Sequence, residues 1–195
     1  MILASCTSPT WFAAASRDLR ALLSDHLHCE RKAAENALSL VRRYPYRAGS
    51  VDALARLAHE ETSHVVQVAA LLARRGWLPR TDLPNQYARA LLAEVRGREP
   101  ERLLDAVLVA AFIDARSHER LSLLARGFSA QAGDGAAELT AFYRALATAE
   151  ERHAVIFLEL AGPLVPADEL AARLEFFATR EAEILAAQPF VSRVH

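Results

Sequence analysis

Two short patterns in the sequence place a carboxylate and an imidazole three residues apart. Glu61 is followed by His64, and Glu150 is followed by His153. On an α-helix, residues three positions apart are neighbours on one face, so each pair could bind the same metal ion. One such pair arises easily by chance, and it is the repetition of the pair that predicts a metal site.

A further carboxylate accompanies each pair at the same distance. The interval from Glu30 to Glu61 equals the interval from Glu119 to Glu150. The whole pattern therefore repeats at one constant offset, and the flanks DHLHCER (25–31) and DARSHER (114–120) correspond at that offset as well. This duplication predicts two metal half-sites, whose ligands would be Glu30, Glu61, His64, Glu119, Glu150 and His153.

The types of these six side chains indicate which metals they would bind. Four inward-facing carboxylates could not all stay ionised together without cations, and two divalent ions would balance their charge. Glutamate and histidine from four helices are the ligand set of di-iron and di-manganese bundles, whereas zinc sites more often use thiolates or several histidines. In the usual arrangement Glu30 and Glu119 would be terminal ligands, and Glu61 and Glu150 would bridge the metals.

Other acids and histidines near these positions have less certain roles. Asp25, Glu60 and Asp114 are candidates to accept a hydrogen bond from the outer nitrogen of a ligand histidine. The alternative, that these acids are solvated or paired with arginine, stays open. His26 and His118 flank the predicted ligands, but neither has a counterpart at the offset of the repeat, so we do not predict them as ligands.

The remainder of the sequence predicts an all-α fold with the predicted ligands on four long helices. The chain is rich in alanine and leucine, and its 7 glycines and 8 prolines fall mostly between long runs without them. Apolar residues recur every three or four positions along these runs. The predicted long helices cover about 16–44, 50–75, 100–126 (ending at Gly127) and 136–161.

The connections suggest how these helices are joined. About 23 residues, 77–99, separate the second long helix from the third and contain a short helical piece, a crossover long enough to traverse a bundle. We therefore predict a ferritin-like four-helix bundle over about 16–162, with a long crossover between helices 2 and 3. An extra C-terminal helix is predicted at about 167–187, followed by a disordered tail that includes His195. The whole chain, 1–195, would form one domain.

The cysteines and the apolar runs of the sequence indicate where in the cell the protein would be found. The two cysteines, Cys6 and Cys29, lie in different contexts, which argues against a structural disulfide and favours the cytoplasm. The longest apolar run, 106–113, is far too short to cross a bilayer, so no membrane association is predicted.

Basic residues are concentrated in the N-terminal half of the chain. Residues 1–102 carry 15 basic and 11 acidic groups, and nearly all the basic groups are arginine, a good ligand for phosphates. If the crossover spans the bundle, six arginines would lie at one end of it and could bind RNA. For any single arginine, the alternative is a charge that complements a helix C-terminus or merely solubilises the surface. The six are Arg42, Arg43, Arg47, Arg96, Arg98 and Arg102.

Four segments resemble the bacterial tRNA hydroxylases that act on 2-methylthio-N6-isopentenyladenosine. They are DHLHCERKAA (25–34), LAHEETSHVVQV (57–68), AAFIDARSHERLSLLA (110–125) and FYRALATAEERHAVIFLELA (142–161). The resemblance covers most of 20–162 and implies a ferritin-like non-haem di-iron monooxygenase with the six ligands named above. Members of that family more often have Glu at the position of Asp114 and Cys at the position of His118.

The resemblance also implies a reaction and its partners. The enzyme would hydroxylate the isopentenyl group of the modified adenosine beside the anticodon, using O2, two iron ions and two external electrons. Its partners would be the tRNA anticodon arm and an electron donor such as a ferredoxin and reductase system. The alternative that the ligand set leaves open is a ferritin-like ferroxidase or another di-iron oxidase.

Overall fold

The computed structural model describes residues 2–47 and 49–195. All regular elements within these residues are helices, and no strand occurs among them. A short 3-10 turn, Gly162–Leu164, follows the sixth helix. The α-helices are α1 (Trp11–Ala15), α2 (Leu19–Arg43), α3 (Ser50–Arg74), α4 (Gln86–Ala93), α5 (Glu101–Ser129), α6 (Asp134–Ala161) and α7 (Ala167–Ala187).

The helix ends follow local sequence signals. α2 begins three residues later than predicted because the Asp18 side chain accepts a hydrogen bond from the backbone N–H of Ala21 and so caps the helix. Beyond the end of α3, Gly76 adopts a left-handed backbone (φ 68°), a conformation that glycine reaches without steric cost. The boundaries of α7 agree with those predicted.

The predicted end of the third long helix at Gly127 is wrong, because α5 continues to Ser129. Gly127 has a different role inside the helix. The ring of Phe12 packs directly over its Cα, and a Cβ atom there would overlap that ring. Phe12 also packs edge-on against Phe128, with ring centroids 5.3 Å apart. The glycine therefore marks a close approach between two parts of the chain and not a helix stop.

Replacing Gly127 with Ala should destabilise the protein by about 1–3 kcal/mol, since Phe12 must move to admit the new methyl group. Gly135, near the start of α6, is a matched control because nothing lies within 4 Å of the position of its Cβ. Gly135→Ala should leave stability unchanged or slightly raised. Urea denaturation measures both variants, and equal stability of the two would contradict this role for Gly127.

The structure contains two compact units, and the first comprises Ala13–Leu83 and Phe190–Val194. We call it the α2–α3 unit. Its two long helices pack along one another in antiparallel directions, with only six residues of sequence, 44–49, between them. Their buried faces carry mainly leucine and alanine, with Glu30, Glu61 and His64 among them.

The first part of the crossover runs along α2 within this unit. The carbonyl oxygen of Leu78 accepts a hydrogen bond from Arg20, and the N–H of Arg80 donates to Ser24. Further along, Asp82 pairs with Lys32 at 2.6 Å. Polar contacts thus bind this extended segment to the outer face of α2 over several turns.

The second compact unit comprises the N-terminal segment up to Phe12, Pro84–Pro189 and His195. We call it the α5–α6 unit. α5 and α6 form an antiparallel pair, and α7 packs on α5 and α4. Near the start of α5, the buried carboxylate of Asp105 pairs with Arg96 at 2.9 Å and with Arg173 at 2.7 Å. The extra C-terminal helix is therefore bound to the other helices of its unit by ion pairs as well as by apolar packing.

A fully buried ion pair lies at the centre of the α5–α6 unit. Arg116 on α5 and Glu181 on α7 are both completely shielded from solvent, and two guanidinium nitrogens donate to the Glu181 carboxylate at 2.8 Å. The Tyr87 hydroxyl donates to the same carboxylate, also at 2.8 Å. Burial, followed by the charge of Glu181, raises the pKa of Tyr87 well above its ordinary value, so the phenol stays protonated.

His195 is ordered by contacts with this unit, and the predicted disorder of the C-terminal tail is wrong. The imidazole stacks on the Tyr87 ring at 5.1 Å, and its Nε2 lies 2.8 Å from the Ser117 hydroxyl. In the α2–α3 unit, the N–H of Val194 donates to Asp25 at 2.8 Å. Sequence position suggested a free end, but side-chain contacts, which the sequence does not reveal, hold these residues in place.

Candidate metal centre

The α2–α3 unit contains a buried group of two carboxylates and one imidazole. Glu30 is contributed by α2, and Glu61 and His64 lie one helical turn apart on α3. His64 Nδ1 is 3.2 Å from a Glu30 oxygen and 3.3 Å from a Glu61 oxygen. One potential ligand atom from each residue lies within 4.8 Å of the others, close enough for a single metal ion. Three of the predicted ligands therefore lie together.

The electrostatics of this group favour a cation. Burial by itself lowers the pKa of the His64 imidazole, but hydrogen bonds and charge from Glu30 and Glu61 outweigh burial and raise that pKa to about 10. A positive charge between the two carboxylates is thus strongly stabilised. A bound metal ion would supply that positive charge instead of the proton.

His26 also contacts this group, although we did not predict it as a ligand. Its Nε2 lies 2.6 Å from the second oxygen of Glu30, and its side chain is almost fully buried. His26 precedes Glu30 by one helical turn, so the same side of α2 carries both. An imidazole at that distance could help to orient the Glu30 carboxylate, as the outer partners of metal ligands do.

The α5–α6 unit contains a second buried group, made of Asp114, Glu150 and His153. One potential ligand atom from each residue lies within 4.8 Å of the others. Asp114 is on α5, whereas Glu150 and His153 lie one turn apart on α6. All three side chains are at most 6% exposed. The group has the same chemical composition as the one on α2 and α3, two carboxylates and one imidazole.

Glu119, the predicted ligand on α5, is engaged elsewhere. Its carboxylate accepts hydrogen bonds from the Thr7 backbone N–H at 2.9 Å, from the Thr7 hydroxyl at 2.6 Å and from Arg116. Burial raises the pKa of Glu119, but the Thr7 hydrogen bonds and the Arg116 charge outweigh it, and the pKa lies below its ordinary value. The structure therefore places Asp114, and not Glu119, beside Glu150 and His153.

Helix geometry explains this difference from the sequence prediction. Side chains on antiparallel neighbours meet when they lie at similar distances from the connecting loop. Glu150 lies about four turns beyond the start of α6, and Asp114 lies about four turns before the end of α5, whereas Glu119 lies only about three turns before it. The step from Asp114 to Glu119 also turns the side chain by about 140° around the helix, so the two point in different directions. A comparison of distances from the loop between α5 and α6 would therefore have identified Asp114 as the partner of Glu150.

The other residues proposed around the metal have varied surroundings. Asp25 binds the C-terminal segment through Val194 and lies 3.6 Å from Arg193. Glu60 is half-buried on α3. His118 Nδ1 lies 2.7 Å from the carbonyl oxygen of Ala147, a contact that ties α5 to α6. Asp114 alone, of the three acids suggested as outer partners, belongs to a group that could bind a metal.

The six predicted RNA-binding arginines differ in their availability. In the α5–α6 unit, Arg96 is paired with Asp105, whose buried carboxylate it helps to neutralise, so it is not free to bind a phosphate. Arg47 is half-buried, with its Nε shielded from solvent. The four others are exposed to solvent: Arg42, Arg43, Arg98 and Arg102.

Comparison with known proteins identifies the family. The family model described as tRNA-(MS[2]IO[6]A)-hydroxylase (MiaE) matches residues 1–195. The chain belongs to the MiaE family. The resemblance inferred from the sequence motifs is thereby confirmed.

Two curated members of the MiaE family are similar along nearly the whole chain, and both are named tRNA 2-(methylsulfanyl)-N(6)-isopentenyladenosine(37) hydroxylase. The protein of Pseudomonas putida KT2440 is 36% identical over 97% of this chain and 90% of its own length. The protein of Salmonella typhimurium LT2 is 29% identical over 97% of this chain and 86% of its own length.

A solved structure supports the predicted fold class. The Synechococcus protein described as Protein 43 with aldehyde deformylating oxygenase activity aligns with a TM-score of 0.90 and 36% identity, covering 100% of this chain and 96% of that one. The all-α, ferritin-like prediction is confirmed. In the part of the chain that the structure describes, we find no helix with the length and apolarity needed to span a bilayer.

Proposed function

We propose that this protein hydroxylates the isopentenyl group of 2-methylthio-N6-isopentenyladenosine in tRNA, with O2 as oxidant. The observation that carries the proposal is the pair of buried carboxylate and histidine groups in a chain that belongs, over its full length, to a family of tRNA hydroxylases. Hydroxylation of a methyl C–H bond by O2 requires a redox-active cofactor, because amino-acid side chains supply no such chemistry.

The donor atoms of the two groups fit iron. Each group offers two carboxylates and one imidazole, and neither includes a thiolate. This set suits iron or manganese better than zinc. We assign Asp114 in place of Glu119, because the Glu119 carboxylate is already paired with Arg116 and hydrogen-bonded to Thr7. The proposed ligands of two iron ions are Glu30, Glu61, His64, Asp114, Glu150 and His153.

Bound iron would supply the activation of O2, and the protein would supply position and environment. His26 orients the Glu30 carboxylate, and the His118 contact with the Ala147 carbonyl fixes α5 against α6 one turn beyond Asp114. Small side chains on α2, such as Ala33 and Ala34, would leave room beside Glu30 for an apolar tail. The modified base would have to leave its stack to bring that tail to the metal.

The overall reaction defines the other partners. Conversion of R–H and O2 into R–OH and water consumes two electrons and two protons. Since the substrate tail does not supply these electrons, turnover requires an external donor such as a ferredoxin and reductase system. The exposed arginines Arg42, Arg43, Arg98 and Arg102 are the proposed phosphate ligands, and binding through them should weaken steeply as salt rises.

Aldehyde deformylation is the second candidate function. The Synechococcus structure, described by that activity, is as similar in sequence to this chain as the Pseudomonas hydroxylase is, at 36% identity. A di-iron centre in an apolar pocket could act on either substrate. The ferroxidase alternative differs from both because its substrate is ferrous iron itself.

The test supplies the iron-loaded protein with a reduced ferredoxin system and oxygen-18 gas. The substrate is an anticodon stem-loop RNA that carries the prenylated adenosine, and the same RNA with unmodified adenosine is the control. We expect an oxygen-18 hydroxyl on the prenylated nucleoside by mass spectrometry, and no product from the control. A hydroxyl oxygen that came from water would refute O2-dependent hydroxylation. An unchanged RNA together with deformylation of a long-chain aldehyde in a parallel reaction would replace this proposal with the second candidate.

A further inference from the structure

The loop between α2 and α3 exposes an aromatic ring. The Tyr46 side chain is 76% exposed, whereas its neighbour Tyr44 is only 7% exposed. The two rings meet edge to face, with centroids 6.5 Å apart and planes at 76°. Because the Tyr46 side chain is 76% exposed beside this edge contact, an aromatic face of Tyr46 lies in solvent. Such a face can stack on another planar group.

The charged residues that flank Tyr46 in the sequence are all of one sign. Residues 36–51 contain three arginines and no acidic residue. The nearest acids on either side are already paired, Glu35 with Arg31 and Asp52 with Arg56. The flanking carboxylates therefore do little to offset the positive charge of the loop.

Two of the three arginines of this segment are available for a ligand. Arg42 and Arg43 are exposed at the end of α2, and Arg47 follows Tyr46. Among residues 2–47 and 49–195, no carboxylate forms an ion pair with any of the three. The loop therefore combines an exposed aromatic face with uncompensated guanidinium groups, the combination with which proteins bind unpaired nucleotides.

We infer that Tyr46 stacks on an unpaired base of the tRNA substrate while Arg42 and Arg43 bind the adjacent phosphates. This inference rests on the proposed function and names a contact of the same substrate. An acidic protein surface could pair with the arginines, but its carboxylates would not stack on the Tyr46 ring. An RNA loop supplies both phosphates and bases with exposed faces, so it fits the two features together.

The position of the loop excludes the modified base as the base that stacks on Tyr46. Arg43 is the last residue of α2 and lies about three and a half helical turns beyond Glu30. At about 1.5 Å per residue, the end of the helix is about 20 Å from the metal ligands. The base that stacks on Tyr46 is therefore not the base that carries the hydroxylated tail. The contact would orient the anticodon arm while the modified nucleotide reaches the metal.

The test compares Tyr46→Ala with Tyr46→Phe in the iron-loaded full chain. The probe is the fluorescently labelled, prenylated anticodon stem-loop, and fluorescence anisotropy measures its Kd. Tyr46→Ala should raise Kd about tenfold, whereas Tyr46→Phe, which retains the ring, should change it by less than about twofold. Hydroxylation by Tyr46→Ala should show a raised KM with kcat at saturating RNA near that of the unsubstituted protein.

Control variants separate stacking from general surface effects. Leu78→Ala removes a side chain of similar exposure, 77%, outside the loop, and Arg126→Ala removes an exposed arginine on α5. Both should bind the stem-loop like the unsubstituted protein. Arg42→Ala with Arg43→Ala should weaken binding and reduce the dependence of Kd on salt.

The outcomes distinguish this inference from the proposed function. If the unsubstituted protein hydroxylates the RNA and Tyr46→Ala binds it equally well, the stacking contact is refuted and the proposed function stands. If Tyr46→Ala instead loses only its turnover with reduced ferredoxin, the loop binds the electron donor and this inference is overturned. If the unsubstituted protein neither binds nor hydroxylates the RNA, the stacking contact and the proposed function are both refuted.

Discussion

Asp114→Asn should reduce the iron content of the purified protein from about two ions per chain to about one and should lower hydroxylation about 100-fold or more. Asparagine has almost the same shape as aspartate but lacks the charge and one ligand oxygen. Glu119→Gln makes the same chemical change on the same helix, and it should leave the iron content unchanged. Iron analysis and absorption spectra of the two variants measure this difference.

The contrast follows from the surroundings of the two carboxylates. Asp114 lies within ligand distance of Glu150 and His153, while Glu119 is hydrogen-bonded to Thr7 and paired with Arg116. Glu119→Gln should therefore lower thermal stability and leave the metal in place. Asp114→Glu, which restores a carboxylate with one more methylene group, should retain iron and activity.

The reverse result would exclude this ligand assignment. If Glu119→Gln lost iron and Asp114→Asn kept it, the ligands would follow the sequence repeat, and α5 would have to turn by more than a third of a revolution. Both variants should be prepared under the same iron loading, and circular dichroism should establish that each is folded before the metal is measured.

Glu181→Leu should destabilise the protein by about 3–5 kcal/mol, because it leaves the buried guanidinium of Arg116 without its main partner. Both side chains of this pair are completely buried, and the Tyr87 hydroxyl donates to the same carboxylate. For a chain of this size the melting temperature should fall by about 6–20 °C. The double variant Arg116→Met with Glu181→Leu should lose less free energy of unfolding than the sum of the losses in the two single variants. A double-mutant cycle measured by urea denaturation tests this.

Glu183 provides the matched control for this prediction. It lies two residues further along α7, is 56% exposed and pairs with Arg180 at the surface. Since exposed ion pairs contribute only about 0–1 kcal/mol, Glu183→Leu should have little effect on stability. If Glu181→Leu and Glu183→Leu had similar stabilities, the buried pair would not contribute as described.

Much of this fold could be predicted from the sequence, because helices depend on local signals. The spacing of apolar residues located five long helices, and the boundaries of α7 agree with those predicted. Where local signals gave a wrong prediction, contacts between distant parts of the chain determine the structure. Gly127 resembled a helix stop, but Phe12 packs against it inside α5. His195 resembled a free end, but it stacks on Tyr87.

In the candidate metal centre, too, some ligands follow from the sequence and one depends on tertiary structure. The Glu-x-x-His spacing by itself placed Glu61 beside His64 and Glu150 beside His153, because residues one turn apart on a helix are always neighbours. The carboxylate that joins the second pair comes from another helix, and its choice depends on the register of α5 against α6 and on the side of α5 that faces α6. Sequence repetition favoured Glu119, whereas the register of the two antiparallel helices brings Asp114 to Glu150 and His153.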